Sequence, residues 1–310
     1  MTNFSHNPQT QKFVSWLSAR IDGTAEVNFV HTATGHSFST LQDAHDAYEW
    51  PPKRKTISTP DGDLELRAGA TLAENQQILD RLSQRLRECL DDPVSNEALL
   101  ARWIQAILIW GGVYTRHKNG GGNAGWLDTR LAAQDLTDNL RTALAALQNG
   151  TIHFHDGPSS LRSNAGLTKV YSLVLDNFVI YDSRVAAALA WLVTSWARET
   201  GSRIPDHLKF ACMRANEGST KNKAPGSTKV RSPDPRIFPY FAPSQQLRDH
   251  RRHAVWNQRA NHVLACALKE AHARQDGAVA SDFRTVRDVE AALFVMGADL
   301  RYALVFSTNP

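Results

Sequence analysis

Apolar residues along the chain recur mostly at helical spacing. Phe13, Trp16, Leu17 and Ile21 fall on one face of a first amphipathic helix, and residues 27–30 read as a short strand or turn. Residues 51–71 hold two prolines in a row, a Pro-Asp-Gly sequence and the basic triplet Lys53, Arg54 and Lys55, which predicts a loop or hairpin. Leu79, Leu82, Leu86 and Leu90 then make one helical stripe, stopped at Asp91, Asp92 and Pro93. Ser95 is placed to cap the next helix, whose Leu99, Leu100, Trp103, Ile104, Ile107 and Leu108 are spaced for burial. Its apolar end, 107–110, predicts a central position, and Gly111 and Gly112 end it.

A glycine-rich loop at 118–125 leads into a predicted helix over 128–148, with Leu136, Leu140, Ala143, Leu144 and Leu147 inward. Beyond an irregular segment at 150–166, the pattern predicts a helix over 167–175, a turn at Asp176 and Asn177, and a β-like run at 178–181. A long apolar helix over 183–199 follows. Residues 214–245 carry five of the 13 prolines and many Ser, Lys and Arg, so a long loop is expected. Two helices, 245–275 and 285–304, close the chain. The expected class is mainly α, a two-lobed helical fold with minor β. Residues 1–70 read as an accessory region and 71–310 as the principal helical domain.

Composition narrows the function classes. With 42% hydrophobic and 21% charged residues in 310, the chain can build a core, which excludes a wholly disordered or collagen-like protein. It has no run of about 20 apolar residues, so no bilayer span and no membrane partner are expected. The first residues lack the basic and apolar regions of a secretory signal, and Cys89, Cys212 and Cys266 are few, distant and odd in number. Both observations point to an intracellular, cytoplasmic protein with reduced thiols and without a cysteine-held metal site. The 35 basic against 31 acidic residues leave a net charge of +4, compatible with a nucleic-acid partner.

The chemistry concentrates around residues 164–192. Lys169 stands at a helix start, and Asp182 at the head of the next long helix, 13 positions on. Thr168, Lys169 and the run Tyr181, Asp182, Ser183, Arg184, Val185 resemble the helix-hairpin-helix superfamily of DNA glycosylases, in particular its 8-oxoguanine-glycosylase-like fold in bacterial members. Trp256 to Asn261 and Glu290 to Gly297 are similar to C-terminal segments of that fold. The resemblance implies that Lys169 is the nucleophilic lysine and Asp182 the essential aspartate. It also implies a hairpin contact with a DNA phosphate near Gly166, where this chain keeps one glycine of the usual two.

Elementary chemistry agrees with that pairing. Cleaving an N-glycosidic bond builds positive charge on the sugar, which a carboxylate stabilises. A desolvated lysine is a nucleophile, and its Schiff base leads to a lyase step. Asp182 also stands where an ordinary helix N-cap would, contributing about 1 kcal/mol, and Lys169 is a residue type that commonly sits in solvent. A flipped base needs a pocket with aromatic walls. The candidates are Trp110, Tyr114, Trp126, Tyr171, Trp256 and Asn257, each of which a helical core would also accommodate. For phosphate contact the candidates are Gly166, Lys221, Lys223, Lys229, Arg231 and Arg251, most of them in the stretch from Arg214 to Arg236, where six basic residues face Glu217 and Asp234. His153 and His155, with Asp156, alternate as two metal ligands on a strand would, without a defined third.

The expected activity is therefore that of a DNA glycosylase, with or without lyase action, needing no cofactor and no obligate protein partner. Its partner is double-stranded DNA containing a modified base. The glycine-rich region suits a bulky base such as a glucosylated hydroxymethylcytosine in phage DNA, and the resemblance alone suggests 8-oxoguanine. Rival classes are a non-catalytic reader of modified DNA and a helical RNA-binding scaffold.

Overall fold

The computed structural model describes residues 2–31, 36–92, 94, 96–116, 120–152, 161–215, 229–241, 246–274, 283–301 and 303–304. Ser95, the His153 to Asp156 cluster, Lys221 and Lys223 lie outside the described residues. The first elements are helices α1 (Thr2–Ser5) and α2 (Pro8–Ile21), strands β1 (Phe29–His31) and β2 (His36–Phe38), helix α3 (Leu41–Asp46) and the hairpin β3 (Lys55–Thr59) and β4 (Gly62–Leu66). Helices α4 (Leu72–Asp91), α5 (Glu97–Trp110), α6 (Gly122–Ala133), α7 (Leu136–Gln148), α8 (Leu167–Tyr171), α9 (Ser183–Glu199), α10 (Leu247–Arg274) and α11 (Val286–Met296) follow, and the short strand β5 (Ala303–Leu304) comes last. The protein is mainly α, as expected, with little sheet. Among the described residues no helix is long and apolar enough to cross a membrane.

The chain forms two compact units. One comprises Met1–Tyr48, Tyr181–Ala242 and Arg259–Pro310, and the other Glu49–Ile180 and Pro243–Gln258. The division falls at residue 48 and again after 180, not at residue 70, because β3 and β4 share their core with α4 and α5.

In the second unit α5 is central and packs against α4, α6, α7, α8 and β3. The leucine stripe of α4 (Leu79, Leu82, Leu86, Leu90) is buried along with Trp103, Ile104, Ile107 and Leu108 of α5. Thr71 and Glu74 cap α4 reciprocally, and Asp92 closes it. The cap of α5 is Asn96, whose side chain accepts from the Leu99 amide. Glu97 then reaches across to α7 and accepts from the amides of Leu136 at 2.8 Å and Thr137 at 3.1 Å. The single helix expected over 128–148 is two: α6 begins at Gly122, and Gln134 adopts a left-handed conformation (φ 53°) that ends it before α7.

The first unit has a three-stranded antiparallel sheet in the order β2-β1-β5, with helices α2, α3, α9 and α11. Helix α9 is buried from Val185 to Ala197 and matches the helix expected from its apolar pattern. Helix α11 starts at a Thr285–Asp288 capping box and ends at Gly297, where a Cβ would stand 1.9 Å from the Arg184 carbonyl oxygen. The chain leaves the helix there, and residues 303 and 304 pair with β1 in place of the helix expected to run to 304.

Candidate functional site

Lys169 lies in the second unit, on α8. Asn164 starts this helix: its Oδ1 accepts from the amides of Gly166 at 2.8 Å and Leu167 at 2.9 Å. The helix has only five residues, and Ser172 to Leu175 continue it as turns, shorter than the expected helix over 167–175. Lys169 is 6% exposed, and its Nζ donates to the Ala165 carbonyl at 3.0 Å. The reading of Lys169, taken alone, as a solvated surface residue is overturned. Lysine is almost never so deeply buried without a specific arrangement around it.

That arrangement is made by the end of α5. A Cβ on Gly111 would stand 2.2 Å from Lys169 Cδ and 2.5 Å from Cε, so the lysine stem occupies the space that glycine leaves. Lys55, from β3, donates to the carbonyls of Ile109 at 2.9 Å and Trp110 at 3.0 Å, the last carbonyls of α5. Burial lowers the Lys55 pKa, and the charge of Lys169 lowers it further. Two amines thus share one half-buried to buried neighbourhood at a helix C-terminus. Burial and a neighbouring cation are the two conditions that turn an amine into a nucleophile.

A polar network supports the segment before Lys169. Arg162 donates to the Gly122 carbonyl at 3.0 Å and to Asn123 Oδ1 at 3.4 Å, and Asn164 donates to the same Oδ1 at 2.9 Å. Asn123 in turn donates to the Val113 carbonyl. Burial pushes the Arg162 guanidinium down to about 10, and nearby Tyr171 partly offsets this. Ser163 Oγ and His253 Nδ1 are 2.9 Å apart, and His250 Nδ1 donates to the Ser163 carbonyl at 2.9 Å. His250 is held below its usual range, chiefly by burial. The glycine-rich stretch packs on its own backbone: a Cβ on Gly125 would stand 1.7 Å from the Gly120 carbonyl oxygen, and one on Gly122 2.3 Å from that of Thr115. Its described part, residues 120–125, is a tightly folded helix start, not the roomy or freely flexible connection expected.

Asp182 lies in the first unit and caps α9. Its Oδ1 accepts from the amides of Arg184 at 2.8 Å and Val185 at 3.1 Å, the N-cap role its position suggested. Burial lowers the pKa of neighbouring Arg184, an effect that Asp182 opposes. The Arg184 guanidinium lies 4.0 Å from the centre of the Phe294 ring.

Several sequence candidates are core residues. Trp110 is buried and its Nε1 donates to Asn75 at 2.9 Å, while Tyr171 is buried and donates to the Arg162 carbonyl at 2.6 Å. Asn257 is fully buried, with its amide donating to the Val179 carbonyl, so it presents no edge to a base. Arg231 is buried and its guanidinium donates to the Gly297 carbonyl, a structural tie and not a phosphate contact. Gly166 is buried, its amide is taken by Asn164, and a Cβ there would stand 2.1 Å from Asn123 Nδ2, so its glycine serves packing. Tyr114, Trp126, Trp256 and Arg251 are half-buried, with Arg162 5.8 Å from the centre of the Trp126 ring, and Lys229 is exposed.

Sequence reasoning missed Lys55, Asn123, Arg162, Ser163, His250 and His253. The basic triplet and the polar run just before Lys169 were visible, but their partners lie 40 to 90 positions away. Among the described residues no group of three or more His, Cys, Asp or Glu is placed to hold a metal ion. No protein-family model matches the chain, and neither a curated protein nor a solved structure matches it significantly.

Proposed function

We propose that the chain is a DNA glycosylase that extrudes a modified base from double-stranded DNA and releases it by amine attack from Lys169. The observation that carries this reading is the burial of the Lys169 amine beside Lys55, with Gly111 leaving room for its stem. In the reaction the neutral amine attacks C1′ of the sugar and the bond from C1′ to the base breaks. The base leaves with the bonding pair and takes a proton from solvent. Loss of the nitrogen proton with opening of the sugar ring gives a Schiff base, from which strand cleavage follows. The sequence resemblance alone assigns Asp182 the carboxylate that stabilises positive charge as the base departs; its contacts in the first unit are those of the α9 cap. The reading rests on the sequence resemblance together with the setting of Lys169, and the specific glycosylase fold is part of the proposal.

The substrate is a modified base in duplex DNA, and the two to be compared are the glucosylated hydroxymethylcytosine of phage DNA and 8-oxoguanine; the close backbone packing at Gly122 and Gly125 gives no preference for the bulkier one. The test is to incubate the protein with duplexes carrying each base and count abasic sites, with borohydride present in parallel. The expected result is base release from one modified duplex, with a trapped adduct that Lys169→Gln abolishes while DNA binding persists. Binding without base release or adduct would identify a non-catalytic reader instead.

A further inference from the structure

The first unit carries a cleft of about 680 Å³ that the reading above does not use. Four cationic side chains border it: Arg198 in the last turn of α9, Arg203 and Lys209 on the segment after it, and Arg236. Trp191 and Ile237 line it on the apolar side, and Trp191 is buried with its Nε1 unpartnered among the described residues.

The charges within the cleft do not cancel. Among the described lining residues Asp234 is the one acid, and it pairs with Arg236 at 2.9 Å. Lys209 pairs at 2.6 Å with Asp206, whose side chain is 94% exposed. Such an exposed pair contributes only about 0–1 kcal/mol, so a dianion seated in the cleft readily takes over the lysine. Arginine forks suit the several acceptor oxygens of a phosphate better than a single carboxylate.

The size and the mixed lining select among anions. Pockets for small organic ligands run to roughly 300–1,000 Å³ with apolar walls and a few placed polar groups. A bare phosphate ion fills little of such a volume and leaves the apolar wall in water. A duplex offers its phosphates on a convex surface that does not enter a concave cleft of this kind. We propose that the cleft binds a nucleoside monophosphate, with the phosphate among the arginines and the nucleoside body on the Trp191 and Ile237 side. This proposal is independent of Lys169 and stands whether or not the chain releases bases from DNA.

Calorimetric titration of the full chain with deoxycytidine 5′-monophosphate, inorganic phosphate and deoxycytidine tests it. The monophosphate is expected to bind with Kd below about 1 mM and at least about tenfold more tightly than either fragment. The double variant R198Q/R203Q is expected to lose at least about tenfold in affinity. Both arginines are exposed, so the double variant should still fold, checked by its thermal melt, and R203Q alone is expected to weaken binding as well; R54Q, outside the cleft, should bind as the parent does. Equal affinity for phosphate and the monophosphate, no binding of the monophosphate, or unchanged binding by R198Q/R203Q would overturn the proposal.

Discussion

Gly111 and Lys169 occupy one space: the methyl group of an alanine at 111 would stand 2.2 Å from the lysine Cδ. Gly111 has φ −72° and ψ −6°, a conformation alanine adopts freely, so the constraint is steric and not a backbone one. Helical preference favours alanine by up to about 1 kcal/mol, whereas overpacking a core costs about 1–3 kcal/mol. The atoms met are the far part of a flexible side chain, so the lysine yields before the backbone does. Gly111→Ala is therefore expected to change stability by about 1 kcal/mol or less while displacing the amine. Chemical denaturation and borohydride trapping, compared on one preparation, check this. Full trapping by the alanine variant would show that the amine's position is immaterial.

Asp182 caps α9 through two backbone amides, and that role separates charge from structure. Asp182→Ala should lose about 1 kcal/mol of stability, whereas Asp182→Asn, another good cap, should lose only a few tenths. Thermal melts measure the difference. The asparagine variant is expected to lose base release all the same, because a neutral amide stabilises a developing cation poorly.

Stability should fall as pH drops below 6.5. His250, His207 and His262 all have pKa values held below 6.5, burial being the first cause in each. Their unfolded forms accept protons at higher pH than their folded forms do. The stabilisation is thus complete above 6.5 and is lost as pH falls from 6.5 toward the lowered folded values, most steeply for buried His250 and less for half-buried His207 and His262, whose shifts solvent screens. His250→Asn retains a side-chain N–H for the Ser163 carbonyl and should flatten the slope of unfolding free energy between pH 6.5 and 5, measured by denaturant titration. An unchanged slope would mean that His250 does not titrate with folding.

Glu97 joins the start of α5 to the start of α7. Glu97→Ala leaves two amides of α7 without their acceptor and should cost about 1–2 kcal/mol, with Glu97→Gln intermediate. Hydrogen exchange at Leu136 and Thr137 is expected to speed up in the alanine variant.

The sequence pattern placed the helices well wherever one face is apolar. The α4 stripe, the burial of α5 and the whole of α9 follow from spacing alone. The break at Gln134 was not legible, because Leu131 and Leu136 continue the apolar periodicity across a left-handed residue. The pairing of residues 303 and 304 with β1 was equally hidden, being set by a partner strand more than 270 positions away. The burial of Lys169 was not legible, because Lys55 and His253 reach its segment only through the tertiary fold, and Arg162, although near in sequence, finds its partners Gly122 and Asn123 about 40 positions away. Arg231 and Asn257 misled for the opposite reason: residue type suggests the surface, while burial and backbone partners make them internal ties.

The central claim is that the Lys169 amine forms the bond to the sugar. Its most direct test is peptide mass spectrometry after borohydride reduction of the protein mixed with duplex DNA containing glucosylated hydroxymethylcytosine or 8-oxoguanine. The account predicts a deoxyribose adduct on Lys169 with one of these duplexes, and none in the Lys169→Gln protein. Base release that continues undiminished in Lys169→Gln, or an adduct mapped to another residue, would contradict it.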